Sequence, residues 1–282
     1  MINTGKLYIV GTPIGNMGDI TYRAVEVLKT VDFIAAEDTR VTQKLLNKLE
    51  IKKPTISYYE HNLRQRGEEI AARIICGENC AIVSDAGMPC ISDPGEDLVK
   101  LCAEKGIETL VIPGANAAVS ALCVSGLSTS RFSFEGFLST NKQSRTEHLN
   151  SLKLAHNTLI FYEAPHKLLN TLKDMLVAFG DRKVSVVKEI TKIYETVNRL
   201  TLSESVEYYV AHPPKGEYVL IIEGAPTSDD GELSLADAVA LAFEFVQKGE
   251  RPAEAAKQAA AISSYKKSDI YKAILDMKSE DA

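Results

Sequence analysis

Two aspartates lie in one glycine- and proline-rich segment, residues 84–95, of sequence SDAGMPCISDPG. Neither Asp85 nor Asp93 has a lysine or arginine near it in this segment. The glycines allow a ligand to approach the backbone closely, and the prolines limit the motion of the chain. Since an anion-binding loop normally carries a cation, this loop is suited to a neutral or cationic ligand held by carbonyl and carboxylate oxygens. The alternative is that Asp85 or Asp93 only caps a helix.

The elements around this segment place it at the edge of a sheet. A short apolar run, Cys80–Val83, precedes it, and residues 96–105 follow with apolar side chains at helical spacing. A strand, a loop and a helix in this order hold ligands at the carboxyl edge of a parallel sheet. Further strands at 7–10, 33–36, 55–59 and 109–112 alternate with helices at 20–30, 41–49 and 65–76. The alternation predicts a mostly parallel, doubly wound α/β sheet.

The second half of the chain repeats the alternation with shorter connections, which favours antiparallel hairpins there. We expect strands at 132–136, 158–162, 184–189, 196–200 and 217–222, the last closing the sheet, with helices at 118–126, 145–154 and 167–179 and a polar loop at 139–145. A polar linker at 225–231 leads to three helices at 233–248, 252–261 and 267–277. We therefore predict an N-terminal α/β domain (1–116), a C-terminal α/β domain (117–225) and a small helical domain (226–282).

Two other stretches could bind a nucleotide. The glycine loop 11–19 lacks the Gly-Lys-Ser/Thr of a P-loop and does not match GxGxxG. However, Glu37 and Asp38 end the second strand, where a dinucleotide-binding fold places its ribose ligand. A Rossmann dehydrogenase is therefore the alternative that pattern alone suggests. Residues 37–40 are equally consistent with a helix cap in which Arg40 pairs with its own neighbour.

Composition narrows the class of protein. The chain has 282 residues and a net charge of −6, which excludes a globally basic nucleic-acid wrapper. Its five cysteines form no CxxC pair and no metal constellation, as expected of reduced thiols in a cytosolic protein. No apolar run approaches the roughly 18 residues that span a bilayer. The sequence therefore predicts a cytoplasmic protein that binds no metal and no membrane.

Five motifs in one order carry a resemblance to a known family. They are GTPIGN (11–16), AEDTR (36–40), SDAGMP with ISDPG (84–95), PG (113–114) and YEAPH (162–166). Together they closely resemble the ribosomal RNA small subunit methyltransferase I family, within the tetrapyrrole-methylase superfamily. The resemblance covers about residues 5–225, and the helical tail is also typical.

This resemblance implies a tetrapyrrole-methylase-like bilobal fold, with the cofactor cleft between two α/β domains. It implies S-adenosylmethionine as methyl donor, a homodimer, and 2′-O-methylation of a cytidine ribose in the decoding region of 16S rRNA. The partner would be 16S rRNA or the 30S subunit. S-adenosylmethionine carries a positively charged sulfonium group, which suits a binding loop that contains aspartates and no lysine or arginine. The donor-binding residues that the resemblance implies are Pro13, Asp85, Gly87, Met88, Ile91, Ala117, Ala118, Tyr162 and Glu163.

For methyl transfer to a hydroxyl, a base must take the proton. The candidates are Asp38, His61, Glu163 and Glu189, and the sequence does not rank them. Lys192 and Arg40 are candidates for holding an RNA phosphate or polarising the hydroxyl. Two other functions stay open: methylation of a tetrapyrrole or another small metabolite, and a non-catalytic nucleotide-binding regulator.

Overall fold

A computed structural model describes residues 4–59, 62–226, 235–247, 250–263 and 265–280. The chain forms two compact units, divided between Ala225 and Pro226. The first unit contains two five-stranded sheets, and the second consists of helices. The further division of the first unit at residue 116 remains a prediction.

The alternation predicts a mostly parallel sheet, and the first sheet is in fact entirely parallel, with strand order β3-β2-β4-β1-β5. Its strands are β1 Leu7–Val10, β2 Phe33–Ala36, β3 Thr55–Ser57, β4 Cys80–Val83 and β5 Thr109–Ile112. The connecting helices are α1 Tyr22–Thr30, α2 Thr39–Lys48, α3 Leu63–Ile75 and α4 Glu96–Glu104.

Strand β2 explains why this sheet is buried on both faces. Phe33 and Ala35 pack into one apolar cluster, and Ile34 and Ala36 pack into another on the opposite face. Successive side chains of a strand point to opposite faces, so a continuous apolar run needs cover on both sides. The helices supply that cover, and the carboxyl ends of the strands therefore meet at one open edge.

The second sheet is mostly antiparallel, which confirms the expected change of topology. Its order is β6-β7-β10-β8-β9, and only β6 and β7 pair in parallel. The last strand of the chain is central, inserted between β7 and β8, and all its residues are buried. The strands are β6 Phe132–Phe137, β7 Thr158–Glu163, β8 Lys183–Lys188, β9 Thr196–Thr201 and β10 Tyr218–Ile222.

Two helices of this half differ from the sequence prediction. Helix α6 begins at Lys142, inside the expected polar loop, because the side chain of Asn141 accepts the Ser144 N–H and caps it. Helix α8, Leu202–Ala211, was not predicted. It begins with a reciprocal capping box between Thr201 and Glu204. The helices of this half are α5 Ala117–Ser125, α6 Lys142–Ser151, α7 Pro165–Phe179 and α8 Leu202–Ala211.

The second unit has a core of small apolar residues. Its helices are α9 Leu235–Gln247, α10 Pro252–Ile262 and α11 Lys267–Glu280. Ala256 and Ala259 of α10 pack with Ile270 and Ile274 of α11, so the helices approach closely. Within the described part of the chain, no helix is long and apolar enough to cross a membrane.

Candidate active site

A cavity of about 590 Å³ opens at the carboxyl edge of the first sheet. Residues that follow β1, β2, β4 and β5 line one side, and the second sheet supplies the other side. The volume is in the range of small-molecule sites. The lining residues are Ile14, Glu37, Asp85, Ala86, Gly87, Met88, Ile91, Ser92, Asp93, Asn116, Ala117, Phe137, Tyr162, Glu163, Ala164, Pro165, His166, Val187, Ile190, Glu217, Tyr218 and Val219.

The loop after β4 is fixed to the loop after β1. Thr12 and Gly87 form an isolated antiparallel bridge, in which the Thr12 N–H donates to the Gly87 carbonyl at 2.8 Å and the Gly87 N–H donates back at 3.2 Å. Gly87 has φ +85°, which favours glycine. The Thr12 hydroxyl also donates to the Ser84 carbonyl at 3.3 Å. Two loops that are 75 residues apart thus form one rigid floor for the cavity.

The same loop holds two non-glycine residues in the left-handed region. Cys90 has φ +71° and Ser92 has φ +62°. Such conformations cost on the order of 1–3 kcal/mol each and cluster at functional sites. Asp93 follows this turn directly and lines the cavity. The strained backbone at Cys90 and Ser92 thus lies directly before Asp93, whose carboxylate lines the cavity.

Three carboxylates form an acidic wall of the cavity: Glu37, Asp85 and Asp93. Burial raises the pKa of all three, and burial together with repulsion from Glu37 raises the pKa of Asp93 to about 6. Over the described ranges, no ion pair joins any of the three to a lysine or arginine. Anions held without a counter-ion are stabilised by a cationic guest, so the acidic wall favours a positively charged ligand.

Backbone hydrogen bonds place two members of the acidic wall. The Asp38 N–H donates to Asp85 Oδ1 at 3.2 Å, and the Asp85 N–H donates to Glu37 Oε2 at 3.3 Å. These bonds connect the ends of neighbouring strands β2 and β4. The two side chains are thus held in place by the sheet itself.

Most of the predicted donor-binding residues lie at this cavity. Asp85, Gly87, Met88, Ile91, Ala117, Tyr162 and Glu163 all line it. Ala118 does not line the cavity itself, but its backbone N–H donates to the hydroxyl of the cavity-lining Tyr162 at 3.2 Å and holds that ring in place. Pro13 does not line the cavity, although its neighbours Thr12 and Ile14 form part of the floor and wall.

The predicted pair Asp38 and Arg40 is self-contained. Arg40 Nη2 lies 2.6 Å from Asp38 Oδ2, and the hydrogen bonds from Arg40 lower the pKa of Asp38 to about 2. Asp38 also caps α2 through the Arg40 N–H. Neither side chain lines the cavity. The Arg40 side chain is 86% exposed and stands free for an outside anion on its far side.

Glu163 reaches the cavity but its oxygens are occupied. They accept the Thr171 hydroxyl at 2.5 Å and the Ala164 N–H at 2.8 Å, and Lys167 Nζ lies 3.4 Å away. The side chain is almost fully buried. These contacts tie the end of β7 to the first turns of α7.

Glu189 and Lys192 belong to a second ion-pair network beside the cavity. Lys192 Nζ contacts Glu189 at 3.0 Å and the cavity-lining Glu217 at 2.8 Å. Burial alone would raise the pKa of Glu189, but the Glu217 N–H and Lys192 lower it overall. The Lys192 stem also packs on Gly15, where an added Cβ would lie 2.5 Å from Cγ. Lys192 therefore connects the second sheet to the first loop.

His61 lies outside the described residues. Asp93 lines the cavity, as expected for an aspartate of the ligand loop, although it was not among the predicted donor-binding residues. Phe137 and Glu217 also line the cavity and were not predicted at all. Nothing in the residue types around Phe137 or Glu217 indicated that they face a cavity.

Comparison with known proteins gives consistent matches over the chain. A family model described as Tetrapyrrole (Corrin/Porphyrin) Methylases matches residues 6–205. A protein of Synechocystis sp., named Ribosomal RNA small subunit methyltransferase I, is 45% identical over 98% of this chain and 99% of its own length. A protein of the same name from Halalkalibacterium halodurans is 46% identical over 95% of this chain and 93% of its own.

Solved structures agree on the architecture. The uroporphyrin-III-C-methyltransferase of Thermus thermophilus superposes with a TM-score of 0.56 at 20% sequence identity. The match covers 78% of this chain and 94% of that one. At this identity the likeness concerns the fold, which both chains share.

Proposed function

We propose that this chain, which belongs to the ribosomal RNA small subunit methyltransferase I family of tetrapyrrole methylases, methylates the ribosomal RNA of the small subunit. Methyltransferases of this family use S-adenosylmethionine. The observation that carries the proposal is the acidic wall, which fits a cationic donor in a cavity of suitable volume.

S-adenosylmethionine supplies a methyl group that is already activated on a positively charged sulfur. Glu37 and Asp85 fit this charge, because each has a raised pKa and no cationic partner among the described residues. Asp85, Gly87, Met88 and Ile91 are proposed to hold the amino-acid end. Ala117, Ala118, Tyr162 and Glu163, with Pro13 supporting the floor, are proposed to enclose the remainder.

The finer proposal is 2′-O-methylation of a cytidine ribose in the decoding region of 16S rRNA. The rigid floor and the second sheet would align the acceptor oxygen with the methyl carbon. Alignment of this kind supplies about 7–11 kcal/mol of the barrier. The target nucleotide has to leave its stacked context to reach the cavity, as in other enzymes that act on single nucleotides.

We propose Asp93 as the proton acceptor. Among the predicted bases, Asp38 is paired with Arg40, Glu163 is held by Thr171, the Ala164 N–H and Lys167, and Glu189 is bound to Lys192. A base needs a free lone pair and a pKa near the working pH. Asp93 lines the cavity, has no ion-pair partner in the described ranges, and has a pKa of about 6. These properties suit a carboxylate that is ionised at neutral pH yet still basic.

Arg40 and Lys192 receive different proposed roles. The exposed Arg40 guanidinium, held by Asp38 on one side, suits a phosphate of the RNA. Lys192 is held between two glutamates, so we assign it to fixing Glu217 and the first loop.

We further propose a cytoplasmic homodimer that acts on 16S rRNA or the 30S subunit, with residues 226–282 contributing affinity for RNA. The three-domain division at residues 116 and 225 belongs to the same proposal. The described part of the second unit exposes several lysines, including Lys257 and Lys267, which suits contact with phosphates.

The test is methyl transfer from labelled S-adenosylmethionine to 30S subunits and to naked 16S rRNA. We expect label in the RNA, and mass spectrometry of nuclease fragments should place it on a cytidine ribose. Label recovered only in a small tetrapyrrole would support a metabolite methyltransferase instead. Absence of transfer, combined with tight binding of adenine nucleotides, would support a nucleotide-binding regulator.

A further inference from the structure

Phe137 is an aromatic residue that lines the cavity and yet is 54% exposed. An exposed aromatic ring at the wall of a cavity offers apolar area that a ligand can cover on binding. The second sheet supplies this ring from the end of β6, at the point where β6 pairs with Tyr162 of β7.

A β-bulge aims Phe137 at the cavity. Along β6, Phe134 pairs with Ile160 and Gly136 pairs with Phe161, so Glu135 is an extra residue. In a regular strand, residues three positions apart point to opposite faces. The extra residue reverses this parity. Phe134 and Phe137 consequently both contact the Tyr162 ring, with centroids 4.8 Å and 5.5 Å away.

The support beneath Phe137 is rigid. Tyr162 is fixed at its hydroxyl by the Ala118 N–H and at its ring by edge-on contacts with Phe134 and Phe137. Gly136 has φ +66°, and a Cβ there would lie 3.5 Å from Ser92 Oγ. The Phe137 segment therefore meets the loop that carries Asp93 across the cavity.

We infer that Phe137 is the stacking platform for the base of the acceptor nucleotide. This inference rests on the proposed function, because it assumes an RNA acceptor. The Phe137 ring is held edge-on by Tyr162, has Lys167 Nζ 5.8 Å from its centroid, and is still 54% exposed. An exposed, supported ring of this kind matches how single-stranded bases are bound, by stacking on aromatic side chains, and the neighbouring lysine suits the phosphate of the same nucleotide. Its position beside the Ser92–Asp93 turn would leave the ribose of the same nucleotide near the proposed proton acceptor.

The experiment uses the full chain loaded with S-adenosylhomocysteine and a short single-stranded cytidine-containing oligoribonucleotide, followed by methylation of 30S subunits. We expect Phe137→Ala to weaken oligonucleotide binding about 5- to 150-fold and to raise KM for 30S subunits. Affinity for S-adenosylhomocysteine, measured by calorimetry, should stay within about twofold of wild type. Phe137→Tyr should restore RNA binding, and Phe137→Leu, which keeps apolar bulk without the ring, should not.

Phe132→Ala is the matched control, since Phe132 is 46% exposed on the same strand and does not line the cavity. It should bind RNA as wild type does. Unchanged oligonucleotide binding in Phe137→Ala would overturn the inference. So would a selective loss of S-adenosylhomocysteine binding, which would place the donor's adenine on this ring. Wild-type protein that binds the oligonucleotide through Phe137 but methylates no ribosomal RNA would instead refute the proposed function alone.

Discussion

Replacing Asp93 with asparagine should make the protein more stable at neutral pH and, at the same time, nearly inactive. Burial raises the pKa of Asp93 from its ordinary value of 3.8 to about 6 in the folded state. Below about pH 4 the group is protonated in both states and has no effect. As the pH rises through 4 to 6, the unfolded state loses its proton first, so the folded state loses stability. Asparagine does not ionise, so Asp93→Asn restores the unfolding free energy that the buried carboxylate costs at neutral pH.

The magnitude follows from the two pKa values. At 1.36 kcal/mol per pKa unit, the difference corresponds to about 3 kcal/mol above pH 6. Asp93 is partly exposed, so solvent screening reduces the expected gain to about 1–2 kcal/mol. For a unit of this size, that is an increase in Tm of about 2–8 °C at pH 8. At pH 5 the gain should be about half as large, since the folded state is then mostly protonated.

Thermal unfolding followed by circular dichroism at pH 5 and pH 8 measures this difference. Asp97→Asn is the control, because Asp97 is an exposed carboxylate four residues away in α4. Its effect on Tm should be the same at both pH values. An Asp93→Asn protein that is less stable than wild type at pH 8, or equally shifted at both pH values, would contradict the electrostatic reasoning.

The activity of the same variant tests the catalytic role. Loss of a general base typically costs 10²- to 10⁴-fold in rate. We therefore expect that loss at saturating donor and RNA, with S-adenosylmethionine affinity within about threefold of wild type. If Asp93→Asn raises the unfolding free energy and lowers the methylation rate, Asp93 is present for catalysis although it destabilises the folded protein. A variant with near wild-type turnover would rule out Asp93 as the proton acceptor.

Three further outcomes are expected. Asp85→Ala should abolish S-adenosylmethionine binding in a calorimetric titration while circular dichroism shows a folded protein; wild-type affinity would refute the role of the acidic wall. Deletion of residues 226–282 should weaken RNA binding more than donor binding, and equal RNA affinity in filter binding across a range of salt would count against it. Gly11→Ala should lower the unfolding free energy by about 1–3 kcal/mol, because a Cβ there would lie 2.7 Å from both Gly114 Cα and Met88 Sδ. Gly67→Ala, whose nearest contact is 3.4 Å, should leave Tm equal or higher, and matching losses in the two glycine variants would refute the packing argument.

The first sheet and its ligand edge could be predicted from sequence because the relevant signals are local. Cys80–Val83 is an apolar run of strand length, and the glycines and prolines that follow mark a loop at its carboxyl end. The strand-loop-helix order then places Asp85 at an open edge regardless of how the rest of the chain packs. The family motifs concentrate in these same loops.

Other features depend on packing that residue types do not reveal. The face of the sheet on which Phe137 lies is set by an extra residue, Glu135, in β6. Regular alternation along the strand would predict the opposite face. The occupation of Glu163 and Lys192 by their partners follows from how β7, α7 and β10 come together. Helix α8 could have been predicted, because Thr201 and Glu204 have the spacing of a capping box, which marks a helix start. The alternating residues 196–200 just before them indicated a strand, and the helix was missed.

The bulge at Glu135 has a consequence for which side chains of β6 can face the cavity. Because β6 is an edge strand, gaining or losing one residue there disturbs pairing on one side only. If β6 lost one residue at the bulge, the side chains beyond that point would exchange faces. Phe137 would then point away from the cavity, and a residue of the opposite face would take its place. A change in chain length, without any substitution inside the donor site, would then be sufficient to remove the Phe137 ring from the cavity wall.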